Sequence, residues 1–238
     1  MLLRMPGLRR LLAPFRRTMT PGRSLQVTQA PYPYQDFPPL KQAHLPHAIL
    51  YANRFDMLRG LALPHQTVVA EVGVALGDFS AFLIETLLPR EFVAADIFNL
   101  HTEPKLWDMH PRQIFKDDSH RAFYERRLAT SRCLVTIRQG PSHIKLAEFP
   151  DDYFDLIYVD ADHSYDAVTR DIEAARSRLR PGGYLIFNDY IMYDHIGQGP
   201  YGVVPAVNEL VANHDWPVVG LALHPQLFCD IALQRPVN

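Results

Sequence analysis

Short apolar runs alternate with amphipathic stretches from about Thr67 to the end of the chain. The runs have the length of buried strands, and the stretches between them repeat apolar residues at helical spacing. Alternating strands and helices predict a parallel sheet with helices on both faces. The predicted strands are 68–72, 92–96, 133–138, 154–160 and 184–188, and the predicted helices are 47–63, 78–88, 121–130, 164–179 and 203–213.

The last part of the chain departs from this alternation. Two apolar runs, 218–223 and 228–233, flank His224-Pro225-Gln226, a short segment with the polar and proline residues of a turn. This pattern predicts a hairpin. At least one strand at the end of the chain is therefore expected to be antiparallel.

The first 45 residues have a different composition from the rest. The first acidic residue is Asp36, and six arginines precede it, while prolines cluster between Pro31 and Pro39. We predict a basic, proline-rich arm over 1–45, followed by one domain over 46–238. Three roles fit the arm: packing on the domain or a neighbouring subunit in a homo-oligomer, contact with a membrane surface or a partner, and an organelle-targeting presequence.

Composition limits the classes of function. A formal net charge of −2 over 238 residues gives no reason to expect nucleic acid as a partner. No apolar run approaches the ~18 residues that a membrane-spanning helix needs. Cys133 and Cys229 both lie in apolar runs and are expected to be buried thiols without a disulfide. We expect a cytoplasmic protein.

A glycine loop follows the strand 68–72 and precedes the helix 78–88. This arrangement forms ligand crevices at the strand ends of open α/β sheets. Gly73 and Gly77 have the spacing Gly-x-x-x-Gly, and Ala75 stands where the dinucleotide fingerprint has its second glycine, which disfavours a pyrophosphate. Glu71 at the strand end also disfavours an anion and suits an ammonium group. A plain tight turn is the alternative interpretation.

Asp96 ends the next strand, 23 positions after Gly73. An acidic residue at about this distance accepts hydrogen bonds from ribose hydroxyls in such folds. Together with Glu71, it favours a nucleoside ligand that has a cationic tail and no pyrophosphate. S-adenosylmethionine fits this description.

Acidic side chains also end two later strands. Asp160, Asp162 and His163 follow the run 154–159, and Asn188-Asp189 follows the run 184–187. Because the carboxyl ends of parallel strands meet at one sheet edge about 5 Å apart, Asp160 and Asp189 can share a divalent cation. His163 has a pKa suited to taking a proton from a hydroxyl. A helix cap with solvated acids is the alternative.

Four segments then support a resemblance to a known family: AEVGVALGDFS, VAADIF, FDLIYVDADHSYDAV and LRPGGYLIFNDY, in that order. Between Val68 and Leu233 the chain resembles class I S-adenosylmethionine-dependent methyltransferases, and among them the macrocin, sugar and small-molecule O-methyltransferases. The resemblance implies an α/β, Rossmann-like fold. It would contain a seven-stranded, mostly parallel sheet with an antiparallel last strand and helices on both faces.

The resemblance also implies a role for individual residues. His163 would act as the catalytic base together with Asp160. The Asn-Asp order at 188–189 is the reverse of that in metal-dependent catechol and caffeoyl-CoA methyltransferases, which leaves Mg²⁺ use open. The cofactor would be held by Glu71, Gly73, Gly77, Ser80, Asp96 and Ser142, and the metal by Asp160, Asn188 and Asp189.

The expected reaction is in-line transfer of a methyl group from S-adenosylmethionine to a hydroxyl of a small molecule. N-methylation stays open. The stretch His101–His120 is expected to fold over the acceptor pocket. Three other functions remain: a nucleotide-dependent oxidoreductase, a cofactor-binding protein without turnover, and a metal-dependent hydroxylase or hydrolase. The acceptor pocket would be lined by Tyr190, Tyr193, Asp194 and His195.

Overall fold

The computed structural model describes residues 36–64 and 66–237. Within them an eight-stranded sheet forms the centre of the domain. A separate two-stranded hairpin lies in the chain between the sixth and seventh strands of this sheet. The strands are β1 (Ile49–Tyr51), β2 (Val68–Val72), β3 (Glu91–Asp96), β4 (Leu134–Gln139), β5 (Phe154–Val159), β6 (Leu179–Phe187), β7 (Tyr193–Asp194), β8 (Gly199–Pro200), β9 (Val218–Ala222) and β10 (Asp230–Gln234).

Helices connect most of the strands. Two short 3-10 helices, Gln42–His44 and Leu100–Thr102, accompany them. The α-helices are α1 (Arg54–Gly60), α2 (Asp78–Leu87), α3 (Pro111–Phe115), α4 (His120–Arg127), α5 (Ser142–Ala147), α6 (Tyr165–Arg178) and α7 (Val203–His214). None of the helices in the described ranges is long and apolar enough to cross a membrane.

The order of strands across the sheet is β1-β9-β10-β6-β5-β2-β3-β4. Strand β10 is antiparallel to both of its neighbours, β6 and β9, and every other pair of adjacent strands is parallel. The prediction of a mostly parallel Rossmann-like sheet with an antiparallel last strand is confirmed. The sheet has one more strand than the seven that we predicted.

The additional strand, β1, lies where the sequence predicts the start of a helix over 47–63. Its three residues pair in parallel with β9 at the sheet edge, with Leu50 opposite Leu221. The helix begins only after Asn53, whose side chain accepts a hydrogen bond of 2.9 Å from the Asp56 amide and so caps α1. The helix prediction is therefore wrong for the first part of this segment and correct for the second.

Strand β2 separates two apolar cores. Its alternate residues point to opposite faces of the sheet. Val68, Ala70 and Val72 are buried against the side chains of α5, α6 and α7, whereas Val69 is buried with residues of α1, α2 and α4. All five residues of β2 are buried, as expected for a central parallel strand.

The predicted N-terminal arm lies only partly within the described residues, because 1–35 fall outside them. Its last part contacts the domain. The Asn208 side chain on α7 donates a hydrogen bond of 3.0 Å to the Pro38 carbonyl, and Leu40 and Leu45 pack against the core on that face. The division of the chain at residue 45 stays a prediction.

Candidate functional site

The loop between β2 and α2 lies against the carboxyl end of β5. Gly73 has a φ of +81°, and a Cβ at this position would lie 2.0 Å from the Asp160 carbonyl oxygen. Gly77 has a φ of +80° and precedes the first residue of α2. Between them, the Ala75 carbonyl lies 2.5 Å from Nε2 of the buried His120. The glycines therefore allow a left-handed turn and a close approach that a side chain would block.

Glu71 lies behind this loop, on the α2 side of the sheet. The carboxylate accepts a hydrogen bond from the Ser80 hydroxyl, which in turn accepts one of 2.9 Å from the Tyr124 hydroxyl. Glu71 is 2% exposed, and burial raises its pKa to about 8. At neutral pH the protonated form is therefore favoured. The contact that the structure records is with Ser80, and contact with a ligand ammonium stays a prediction.

Asp96 ends β3 beside the same loop. One carboxylate oxygen accepts a hydrogen bond of 2.9 Å from the Val74 amide, and the other accepts one of 2.5 Å from the Phe98 amide. These bonds fix the carboxylate at the edge of the sheet. Because a carboxylate has about four acceptor positions, lone pairs remain for two ligand hydroxyls.

A cavity of about 530 Å³ opens at the carboxyl ends of β2, β3 and β5. This volume lies within the range of cofactor and small-molecule sites. Four of the predicted site residues line it: Gly73, Asp96, Ser142 and Asp160. The remaining predicted residues, all within the described chain, lie outside this lining: Glu71, Gly77, Ser80, His163, Asn188 and Asp189.

Ser142 begins α5, directly after Gly140-Pro141, and lines the cavity. Its hydroxyl donates a hydrogen bond of 2.6 Å to Asp171 of α6. Burial raises the pKa of Asp171, and the Ser142 bond partly offsets this. Ser142 is thus held in place by the neighbouring helix and lines the cavity, and its contact with a cofactor stays a prediction.

Asp160, His163 and Asp189 form a cluster beyond the cavity, at the ends of β5 and β6. The Nε2 atom of His163 lies 3.7 Å from Asp160 Oδ1 and 3.6 Å from Asp189 Oδ2. Within the described chain this buried nitrogen has no hydrogen-bond partner. Burial lowers the pKa of His163, so the neutral ring is favoured near neutral pH. The ring also stacks on that of Tyr201, with centroids 4.6 Å apart.

The carboxylates of this cluster have unusual acidity. Burial raises the pKa of Asp160 to about 7, and the charge of Asp189 adds to the effect. Burial likewise raises the pKa of Asp189 to about 7, with a contribution from Asp230 on β10. These two carboxylates can therefore exchange protons near neutral pH, which is typical of functional clusters.

Arg54 brings a positive charge to the cluster from α1. Its guanidinium donates a hydrogen bond of 3.2 Å to the Tyr158 hydroxyl and lies 3.9 Å from Asp160 Oδ2. Tyr158 in turn donates a bond of 2.5 Å to Asp230, which also accepts one of 3.1 Å from the Asn188 amide. The ends of β5, β6 and β10 are thus joined through one polar network.

The residues predicted to hold a metal can be compared with the needs of a hard cation. Asp160 and Asp189 supply suitable oxygens. However, Arg54 lies beside Asp160, and the Asn188 side-chain NH2 group donates a hydrogen bond to Asp230. In residues 36–64 and 66–237, no group of three or more His, Cys, Asp or Glu side chains is placed to hold a metal ion. Metal binding by Asp160, Asn188 and Asp189 therefore stays a prediction that this arrangement does not support.

The loop predicted to line the acceptor pocket follows β6. The Tyr190 hydroxyl donates a hydrogen bond of 2.5 Å to Asn208, and the His195 ring stacks on Phe228 at 4.8 Å. Asp194 accepts bonds of 2.8 Å from the backbone amides of Ile196 and Gly197, which form a turn. Tyr190, Asp194 and His195 of this loop therefore have partners within the chain.

Sequence reasoning missed Arg54 and Trp107. Arg54 lies in the segment before the predicted core, and its partner Tyr158 is 104 positions away. Trp107 belongs to the stretch expected over the acceptor pocket, but it lines the cavity that contains Asp96 and Ser142. The sequence signal that could have identified Trp107 is a tryptophan in a polar segment that follows the predicted ribose-binding strand.

Comparisons with known proteins agree with this geometry. Residues 70–190, half of the chain, match the family described as a methyltransferase domain. A curated protein of Acanthamoeba polyphaga mimivirus, named uncharacterized protein R132, is 37% identical over 59 residues, which are 25% of this chain and 25% of that protein. The matched part thus spans about a quarter of that relative.

Two solved structures show the same fold. A SAM-dependent methyltransferase from Aquifex aeolicus is 12% identical, with a TM-score of 0.53, and the match covers 77% of this chain and 90% of that one. The N-methyltransferase NodS from Bradyrhizobium japonicum is 18% identical, with a TM-score of 0.50 and coverage of 77% and 94%. At these identities the similarity concerns the fold alone.

Proposed function

The chain belongs to the methyltransferase domain family, and we propose that it transfers the methyl group of S-adenosylmethionine to a hydroxyl of a small molecule. One observation carries the proposal. The cavity lined by Gly73, Asp96 and Ser142 reaches Asp160, whose carboxylate lies 3.7 Å from the unpartnered Nε2 of His163. The cavity proposed to hold the nucleoside therefore adjoins a group that can accept a proton.

The chemistry of the lining supports S-adenosylmethionine as the ligand. Asp96 keeps acceptor positions for ribose hydroxyls, and the Gly73 turn places the loop against the end of β5 in the lining of the same cavity. When bound, S-adenosylmethionine supplies an electrophilic methyl group on a positively charged sulfur. The predicted contacts of Glu71, Gly77 and Ser80 are proposed to be indirect, since these residues shape the loop from behind.

His163 is the proposed general base. As the acceptor oxygen bonds to the methyl carbon, the carbon–sulfur bond breaks and the hydroxyl proton passes to Nε2 of His163. The resulting imidazolium would lie less than 4 Å from the carboxylates of Asp160 and Asp189, which stabilise its charge. Positioning of the two reactants contributes a large part of the rate in such reactions.

Metal assistance is the part of the sequence-based hypothesis with the weakest support. Arg54 provides a positive charge 3.9 Å from Asp160, and no group of three or more His, Cys, Asp or Glu side chains in the described residues is placed to hold a metal ion. No step of the proposed reaction is assigned to a metal. Measurement of turnover in Mg²⁺ and in EDTA tests this: equal rates support the Arg54 arrangement, and loss of activity in EDTA contradicts it.

Acceptor screening by mass spectrometry tests the proposal. The protein is incubated with S-adenosylmethionine and a panel of sugars, phenols and amines, and both S-adenosylhomocysteine and the methylated product are measured. We expect methylated hydroxyl compounds, and His163→Ala should reduce turnover by about 10²–10⁴-fold without weakening S-adenosylhomocysteine binding. His214→Ala, an exposed histidine at the end of α7, is the control. Products methylated only on nitrogen would replace O-methylation with N-methylation.

A further inference from the structure

Trp107 presents an indole at the cavity. It is among the lining residues and is nevertheless 63% exposed. A large aromatic side chain at the edge of a cavity gains from a ligand that covers it, because the contact removes apolar surface from water. The only other tryptophan of the chain, Trp216, is 5% exposed and belongs to the core on the α7 side of the sheet.

The backbone around Trp107 forms a turn that is closed by two hydrogen bonds. The amide of Leu106 donates to the Met109 carbonyl at 2.9 Å, and the amide of Met109 donates to the Leu106 carbonyl at 2.8 Å. These bonds close a two-residue turn in which Trp107 has a φ of +50°, a conformation that bulky residues rarely adopt. The Leu106 side chain is 7% exposed and anchors the turn. The turn thus fixes the backbone position from which the exposed indole projects.

The same loop connects Trp107 to the nucleoside side of the cavity. Between Asp96 and Trp107, the residues that line the cavity are Ile97, Asn99, Leu100 and Glu103. Of the acid cluster beyond the cavity, Asp160 alone reaches the lining, and His163 and Asp189 do not. Trp107 therefore shares this cavity with Asp96 and Ser142, whereas His163, the proposed base, lies outside its lining.

We propose that Trp107 stacks on the adenine ring of the bound cofactor and so contributes to its selection. This inference rests on the proposed function. An indole offers a flat apolar face that matches a purine, and stacking of this kind is tolerant of small shifts in ligand position. Asp96 would hold the ribose and Ser142 would contact the adenine edge, which places all three side chains on one nucleoside.

Isothermal titration with S-adenosylhomocysteine tests the inference. Trp107→Ala should weaken binding about tenfold or more, whereas Trp107→Phe, which keeps an aromatic face, should stay within about threefold. Leu134→Ala is the control, since Leu134 is 62% exposed on β4 and does not line the cavity. Equal affinities of the wild-type protein and Trp107→Ala would overturn the role of Trp107 alone. Absence of binding to the wild-type protein would overturn the proposed function as well.

Tryptophan fluorescence gives a second measurement, which does not depend on whether Trp107→Ala folds. S-adenosylhomocysteine should change the emission of the wild-type protein, and the change should vanish in Trp107→Phe, in which the buried Trp216 is the remaining tryptophan. Adenosine should produce the same change, because the contact is with the base. A change that persists in Trp107→Phe, or that an aromatic acceptor produces while adenosine does not, would contradict stacking on adenine.

Discussion

Gly73 and the Asp160 carbonyl oxygen approach so closely that a Cβ on the glycine would lie 2.0 Å from this oxygen. The contact joins the loop after β2 to the end of β5. It brings the predicted cofactor loop and the predicted catalytic strand end into one site. The backbone of Asp160 continues the pairing, since its amide donates a bond of 2.7 Å to the Val72 carbonyl.

Substitution of Gly73 tests the importance of this approach. Gly73→Ala should destabilise the fold by more than about 1 kcal/mol, because the residue has a φ of +81° and the added atom meets backbone. It should also weaken S-adenosylhomocysteine binding. Urea unfolding and calorimetric titration provide the two measurements. Gly199→Ala is the matched control, since nothing lies within 4 Å of its Cβ position, and it should change stability by less than about 0.5 kcal/mol. Equal midpoints for the two variants would contradict the steric account.

Glu71 predicts a pH dependence of stability. Its pKa is raised from 4.5 to about 8 in the folded protein, so between these values the folded state holds a proton that the unfolded state releases. Stability should therefore fall as pH rises through this window, with a contribution from Glu71 of about 1.4 kcal/mol per pH unit at most. Glu71→Gln removes this contribution and leaves that of the other buried acids.

Urea unfolding at several pH values between 5 and 8 measures this difference. The free energy of unfolding of Glu71→Gln should depend less steeply on pH than that of the wild-type protein. Glu85→Gln, a change at an exposed residue on the same helix as Ser80, should leave the slope unchanged. Parallel curves for the wild-type protein and Glu71→Gln would show that Glu71 does not hold the extra proton.

The strand and helix pattern could be predicted because it depends on local periodicity. Five consecutive buried residues identify β2, and the predicted bounds 68–72 are those observed. Strand β1 could not be predicted this way, since its three residues are stabilised by pairing with β9, about 170 positions later. Its exposed Ile49 and Leu50 fit the apolar side of a helix equally well.

The candidate site shows the same division between local and distant information. Asp96 and Asp160 could be placed at the cavity because each ends an apolar strand. The direction of Glu71, which faces Ser80 behind the loop, depends on how α2 and α4 pack on the sheet. Arg54 is recognisable only once α1 is seen to lie on the sheet next to Tyr158.

Arg54 leads to a prediction about charge. Arg54→Met should destabilise the protein by about 1 kcal/mol and raise the pKa of Asp160 further, because the guanidinium lowers it in the wild-type protein. The effect is moderate because the two side chains are 28% and 31% exposed and the pair is partly screened. Thermal unfolding measures it. Arg59→Met is the control, since its pair with Asp56 is more exposed, at 57% and 52%. A loss no larger than that of the control would indicate that Arg54 is not a counter-charge of the cluster.

Asp96 should control recognition of the ribose. Asp96→Asn keeps an acceptor for one of the two backbone amides but removes the negative charge, so S-adenosylhomocysteine should bind at least about tenfold more weakly. Calorimetric titration of the two proteins measures the change. Asp151→Asn, an exposed carboxylate paired with Arg178 outside the cavity lining, is the control and should bind as the wild-type protein does. Unchanged affinity in Asp96→Asn would place the ribose elsewhere.

Calorimetric titration of the wild-type chain with S-adenosylhomocysteine and with NAD tests the central claim most directly. The cavity geometry, the Gly-x-x-x-Gly loop and Asp96 predict saturable binding of one S-adenosylhomocysteine per chain and no comparable binding of NAD. Binding of NAD without binding of S-adenosylhomocysteine would contradict the methyltransferase account and favour a nucleotide-dependent oxidoreductase.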